Sequence, residues 1–233
     1  MRYVALATDY DGTLASGGHV DQPTFDSLQR FVESGRKLVM VTGRQLDDLQ
    51  SVFPRIELFS RVVAENGALL YDPKSKSQRI LAEPPNPAFV DELRRRGVPV
   101  STGKVIVATW RPHEKTVFEI IRQQALDFRI ILNKASVMVL PSAIDKGTGL
   151  RRAIAELGLS LHNTIGIGDA ENDDAFLSLC GYSVAVANAL GSLKKRVDLV
   201  TEGTRGSGVA ELIDQVLQDE LRLPVFLPGL LKP

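Results

Sequence analysis

The sequence has one cysteine, no excess of charge of either sign, three scattered histidines, and no apolar run approaching the roughly 20 residues that a membrane span requires. A lone Cys180 cannot close an internal disulfide, which fits a reducing compartment, and its ordinary role is that of a small buried apolar side chain. Lys plus Arg and Asp plus Glu stand at 28 each, so no broad basic face is on offer to nucleic acid. Histidines this dispersed make no metal site. Gly166-x-Gly168 lacks the third glycine of a dinucleotide fingerprint, and no Gly-x-x-x-x-Gly-Lys-Ser/Thr loop occurs. Met1-Arg2-Tyr3 runs directly into Val4-Ala5-Leu6-Ala7, too short for a secretory h-region and followed at once by acidic residues. These absences set the expectation of a cytoplasmic protein whose partners include neither nucleic acid nor membrane. There is no internal repeat and no low-complexity segment.

What remains is an ordinary globular composition, 44% hydrophobic and 24% charged over 233 residues, with a regular alternation. Short apolar runs at Tyr3 to Thr8, Lys37 to Val41, Arg61 to Ala64, Thr164 to Ile167 and Ser183 to Ala187 read as buried strands. Between the first two, Phe25, Leu28, Phe31 and Val32 share a helical face that Gly35 ends, and Gly147 to Leu157 repeats the pattern. Buried strands alternating with helices predict an α/β fold, a doubly wound, Rossmann-like parallel sheet with helices on both faces.

The middle of the chain has another rhythm. Helices are expected at Pro87 to Arg96 and His113 to Leu126. Strands are expected near Val98 to Ser101, Lys104 to Trp110, Phe128 to Leu132 and Val137 to Leu140. Strand pairs separated by helices predict a small α+β insert with an antiparallel sheet, hinged at Pro84-Pro85-x-Pro87 and Pro141-Ser142. The expected division is a core over 1–75 and 141–220, a cap over 76–140, and an apolar tail over 221–233 that packs on the body, mediates association or begins a linker.

The polar residues fall where a ligand would. The first strand ends in Asp9-Tyr10-Asp11-Gly12-Thr13, the second in Thr42-Gly43-Arg44, and a later one in Gly168-Asp169-Ala170-Glu171-Asn172-Asp173. In an open α/β sheet, ligands bind beyond the carboxyl ends of the strands. Asp9 and Asp11, two apart in an extended segment, start out on one side of it, and Gly12 allows a sharp turn next. With Asp169 and Asp173 they make up to four carboxylates near one point, a cluster that repels itself unless a cation sits within it. Oxygen ligands of this kind select a hard ion, Mg2+ being the usual choice beside phosphate. A single Asp after a strand is commonly a turn residue or helix cap; it is the matched set that carries the signal.

In order and spacing, Asp9-x-Asp11-Gly12-Thr13, Thr42-Gly43-Arg44, Lys146 and Gly168-Asp169-x-x-Asn172-Asp173 closely resemble the four motifs of the haloacid dehalogenase superfamily of phosphatases, over about residues 3 to 215. Glu65-Asn66-Gly67-Ala68, with the insert between the second and third motifs, resembles the Cof-type branch. The small insert is similar to that of archaeal phosphoglycolate phosphatases and sucrose-phosphatase-like hydrolases, a C2-type cap. The resemblance implies Mg2+-dependent hydrolysis of a small phosphorylated metabolite, phosphoglycolate or a sugar or polyol phosphate, by a monomer or homodimer.

It also assigns roles. Asp9 is the implied nucleophile, forming an aspartyl-phosphate, and Asp11 the acid and then base. Thr42 and Gly43, with nearby backbone N–H groups, and Lys146 at a helix N-terminus would hold the phosphoryl group. Asp9, Asp11 through its carbonyl, Asp169 and Asp173 would form the metal site, Asp173 through water or by orienting its neighbours. Arg44, Asn66 and Asn172 are further candidates. Arg44 could instead pair with Asp47 or Asp48, and Asn66-Gly67 is in itself a strong type I′ hairpin signal. Arg111 and Lys134 are candidates for the far end of the substrate. A signalling receiver domain would place its phosphoacceptor later and lack the insert. A phosphotransferase or phosphomutase, or a non-catalytic binding scaffold on the same fold, is the alternative to hydrolysis.

Overall fold

The computed structural model describes residues 2–133 and 135–218. In chain order the first elements are β1 (Ala5–Thr8), α1 (Gln22–Glu33), β2 (Lys37–Val41), α2 (Leu46–Val52), β3 (Arg61–Ala64), β4 (Leu69–Asp72) and β5 (Ser77–Ile80). Then come α3 (Pro87–Arg95), β6 (Ser101–Thr102), β7 (Val107–Trp110), α4 (Glu114–Gln123), β8 (Phe128–Asn133) and β9 (Ser136–Pro141). The chain returns with α5 (Lys146–Glu156), β10 (Thr164–Gly168), α6 (Asp174–Leu177), β11 (Tyr182–Ala185), α7 (Gly191–Lys194), β12 (Leu199–Val200) and α8 (Arg205–Leu217).

Two sheets result. The larger has the order β12-β11-β10-β1-β2-β3-β4-β5, parallel from β12 to β3 and antiparallel beyond. Every residue of β1, β10 and β11 is buried, as a strand covered by helices on both faces requires. The chain leaves β1 towards β2 and β3 but returns on its other side at β10. The switch point, and with it the crevice, therefore lies between β1 and β10. Helix α1 starts where it does because the Asp21 side chain accepts the Thr24 N–H at 2.9 Å, a cap of about 1 kcal/mol. It buries Leu28 and Phe31. The Cys180 sulfhydryl faces the Phe176 carbonyl at 3.3 Å, and burial pushes its pKa up to about 12. Among the described residues no helix is long and apolar enough to cross a membrane.

The smaller, antiparallel sheet runs β6-β7-β9-β8. Its outer face is covered by α3 and α4, through Phe89, Leu93, Val117 and Ile120 against Val107, Val137 and Val139. Its other face carries Met138 and Leu140, which with Val105 and Ile106 of the loop before β7 cluster with Ala68 and Ile144 of the core. The period of two thus splits β9, odd residues to the helices and even ones to the core.

Several boundaries differ from expectation, each for a local reason. Strand β5 pairs with β4, so residues 77–80, counted with the cap from the sequence, belong to the larger sheet. All four are exposed and give no hydrophobic signal. Val98 is not in a strand, because its N–H closes the end of α3 on Leu93 O at 3.0 Å. Lys104 to Ile106 are not in β7, because their N–H groups bond to a side chain of the core. The Asn66-Gly67 hairpin exists, but its loop is four residues, with Ala64 opposite Leu69. Glu65, Asn66 and Gly67 all adopt positive φ, 52°, 55° and 109°, so the left-handed stretch extends one residue beyond the pair that a type I′ turn needs. The apolar tail lies outside the described residues.

Candidate active site

Asp9 follows β1 and Asp169 follows β10. Because Thr8 pairs with Ile167 and Asp9 donates its N–H to Ile167 O at 3.1 Å, the two side chains emerge side by side. Gly12, at φ +94°, turns the chain under Asp169 so tightly that a Cβ there would fall 2.4 Å from Asp169 Oδ2; this turn requires glycine. Asp9, Asp169 and Asp173 are all buried and offer carboxylate oxygens within 4.8 Å of one another.

Lys146 reaches this group from the first turn of α5. Asp145 caps that helix, accepting the Thr148 N–H at 2.8 Å, while Thr148 Oγ1 accepts the Asp145 N–H at 3.0 Å. From there the Lys146 ammonium donates to Asp9 Oδ1 at 2.5 Å and Asp173 Oδ1 at 2.6 Å. Burial works to lower the Lys146 pKa, and the Asp173 and Asp9 carboxylates outweigh it and hold it above the ordinary range. For Asp9 burial dominates and raises the pKa to about 7, against the opposing pull of Lys146.

The donor set fits a divalent cation. Asp9, Asp169 and Asp173 bring three buried carboxylates to one point, and groups of like charge this close favour a cation among them. The donors are all oxygen, the choice of a hard ion. Asp173 is the exception as a ligand. Its Oδ1 serves Lys146, and its Oδ2 accepts the N–H groups of Asp169 and Ala170, both at 2.9 Å. It holds the loop and the lysine in place. Asp9 and Asp169 keep carboxylate oxygens within reach of a shared ion.

Arg44 makes the Asp48 pair that the sequence offered and adds a second one that it did not. Its Nε and Nη2 grip Asp11 at 2.6 and 2.8 Å, and its Nη1 takes Asp48 at 2.7 Å. The hydrogen bonds it donates to Asp11 raise its pKa further above the usual arginine value. The Asp48 pair was foreseen by helical spacing. The Asp11 pair joins two loops and has no sequence signature. Thr42 is buried and accepts the Arg44 N–H at 3.1 Å on its hydroxyl, so it shapes this loop. Asn172 donates to Asn66 Oδ1 at 3.1 Å, and Asn66 Nδ2 has no partner among the described residues.

Above these groups is a cavity of about 500 Å3. Asp9, Asp11, Gly43, Arg44 and Lys146 form its floor, and the cap supplies Ser101, Ile106, Ala108, Asn133, Ser136 and Met138. None of these cap residues was singled out by sequence, because no motif marks them. Arg111 is exposed and is not among them. Lys134 lies outside the described residues.

A sheet with its switch point at β1 and β10, and a lysine locked between aspartates there, define a class of hydrolase. The family model of haloacid dehalogenase-like hydrolases matches residues 6–95 and 100–213, and the chain belongs to that family, as an enzyme of its phosphatase kind. Phosphoglycolate phosphatase 2 of Saccharolobus solfataricus is 28% identical, the match covering 92% of this chain and 92% of that protein. The phosphoglycolate phosphatase of Methanothermobacter thermautotrophicus is also 28% identical, over 90% and 96% of the two chains. A haloacid dehalogenase-like hydrolase from Bacteroides thetaiotaomicron superposes with a TM-score of 0.78 at 21% identity, covering 92% of this chain and 99% of that one.

Proposed function

We propose that the protein is a Mg2+-dependent phosphomonoester hydrolase that works through an aspartyl-phosphate on Asp9. The observation that carries this is the buried Asp9 carboxylate, aligned by Lys146 at 2.5 Å, at the floor of a cavity that the cap roofs. Asp9 attacks phosphorus and the bond to the leaving oxygen breaks, while Asp11, parted from Arg44 and protonated from solvent as substrate enters, gives that oxygen its proton. Water then attacks the acyl phosphate, Asp11 takes the water's proton, and inorganic phosphate leaves with Asp9 restored. Mg2+ on Asp9, Asp169 and the Asp11 carbonyl would supply the charge neutralisation that phosphoryl transfer depends on. Lys146 orients Asp9, Arg44 holds the Asp11 carboxylate before substrate enters, and Gly43 lines the floor on which the phosphoryl group would rest.

The cavity lining bears on the leaving group. The described cap residues offer hydroxyl and amide groups on Ser101, Asn133 and Ser136 beside the apolar Ile106, Ala108 and Met138. Such a wall suits the hydroxyls and carbons of a small polyol or sugar. Phosphoglycolate, the substrate named for the relatives, presents a carboxylate instead. Neither described cation in the lining is free for it, since Arg44 is held by Asp11 and Asp48 and Lys146 by Asp9 and Asp173.

A panel of phosphomonoesters assayed with Mg2+ tests this. Small polyol and sugar phosphates should exceed 2-phosphoglycolate in kcat/KM, and excess chelator should abolish turnover reversibly. Preference for 2-phosphoglycolate would overturn the leaving-group assignment, and a phosphorylated alcohol as product would mean transfer in place of hydrolysis. Asp11→Asn tests the proton steps: alkyl phosphates should lose roughly 10^2- to 10^4-fold. An aryl phosphate, whose leaving group needs no proton, should lose less in a single-turnover measurement of the first step. Equal losses would remove Asp11 from its role.

A further inference from the structure

Glu65 directly follows β3 in the core, yet its side chain accepts three hydrogen bonds from the cap. Its Oε1 accepts the Lys104 N–H at 2.8 Å, and its Oε2 accepts those of Val105 at 2.8 Å and Ile106 at 2.9 Å. The side chain is 1% exposed and its φ is +52°, a conformation that non-glycine residues seldom adopt. Strain and burial of a carboxylate are tolerated together only where the surroundings over-determine them. Here three converging backbone donors do so, forming a nest for the anion.

The partner loop is built to match. Gly103 packs so closely that a Cβ there would stand 2.4 Å from Glu65 Oε1. Its N–H closes the turn on Ile106 O at 2.8 Å. On the core side, the Glu65 N–H bonds to Arg44 O and the Asn66 N–H to Thr42 O, both at 2.9 Å. One residue therefore joins the loop carrying Thr42 and Arg44 to the cap loop that carries Ile106 into the cavity. The cap's other clasp to that core loop, Gln45 Nε2 to Ser101 Oγ at 2.8 Å, is exposed and neutral.

We propose that Glu65 is a positioning residue: by clasping residues 104–106 it sets the distance between the leaving-group wall of the cap and the reacting carboxylate, and so governs substrate selection. It touches no reacting atom. Three donors aimed at one side chain require an acceptor at every point. Glutamine would turn an N–H2 against at least one of them, and aspartate is a methylene short. This rests on the phosphatase reading for its kinetic consequence, but the clasp itself can be read without any substrate.

Two variants test it from opposite sides. Glu65→Gln removes the acceptor, and Gly103→Ala drives a methyl group into it from the cap. In both, amide hydrogen exchange at 104–106 should quicken by at least about 10-fold while the amides of β1 and β2 keep their protection, as a local opening requires. For the best substrate of the panel KM should rise about 10-fold, the cost of a misplaced binding wall, while kcat on an aryl phosphate stays within about 3-fold. Exchange at wild-type rates in both variants would overturn the clasp. Faster exchange with unchanged KM would overturn its role in selection, as would an equal fall in kcat for every substrate, which marks general damage. Wild-type protein inert towards every phosphomonoester would defeat the phosphatase reading instead, leaving the exchange rates to judge the clasp.

Discussion

Asp9→Asn should bring phosphomonoester turnover down by roughly 10^5-fold or more, the scale on which removal of a covalent nucleophile acts. The amide is nearly isosteric, so the buried site keeps its shape, but it neither attacks phosphorus nor balances the Lys146 ammonium 2.5 Å away. The loss should therefore appear in kcat, for alkyl and aryl phosphates alike, and no addition of Mg2+ should restore it. A phosphoenzyme trapped by rapid quench in the wild type and missing in the variant would place the label on this residue. Turnover persisting within 10^2 of wild type, on the scale of a lost auxiliary group, would reassign the nucleophile.

Lys146→Met should damage stability as well as rate. Methionine fills the same channel without the charge, leaving Asp9 and Asp173 facing each other in a buried site. Removing one member of a buried ionic group costs about 3–5 kcal/mol, because the other is left uncompensated. Denaturation in chelator should show that loss, and Mg2+ should recover part of it. The pH dependence has a definite sign. An aspartate pKa already raised by burial to about 7 in the wild type rises further without the ammonium. A carboxyl held above its unfolded pKa of about 4 favours the folded state at acid pH and loses that contribution as pH climbs through its folded value. The metal-free variant should therefore be most stable at mildly acid pH. Stability equal to wild type in chelator at pH 8 would mean that Lys146 does not compensate the buried Asp9 carboxylate.

What could be read from the sequence depended on whether the cause was local. The central strands announced themselves because a parallel strand buried on both faces must be apolar at every position. Strand β5, at the edge with all four side chains in solvent, had no such obligation, and the cap was drawn too long as a result. The aspartates and Lys146 were legible because their chemistry dictates residue types at strand ends and helix starts. The grip of Arg44 on Asp11 was not, since it joins residues 33 apart on separate loops, and the nearby Asp48 already offered a partner. Glu65 was hidden differently. Asn66-Gly67 explained the hairpin without it, and its partners are main-chain N–H groups, which any sequence supplies. The cavity's cap residues, Ser101, Asn133, Ser136 and their neighbours, are ordinary in type, and only folding brings them together.

The position of β1 has a consequence for how the protein is made. One side of that strand is completed by β2 as soon as residue 41 has left the ribosome, but the other waits for β10, which begins at Thr164. Throughout synthesis of the intervening segment, the nascent chain carries Ala5-Leu6-Ala7-Thr8 as a bare parallel edge, a template for unwanted pairing. The cap is translated in that interval and has an apolar cluster of its own, so it can gather itself while the core stands open. Lys146, on a helix made before β10, can reach Asp9 first, and Asp169 and Asp173 join them only when the late strand slides in beside β1.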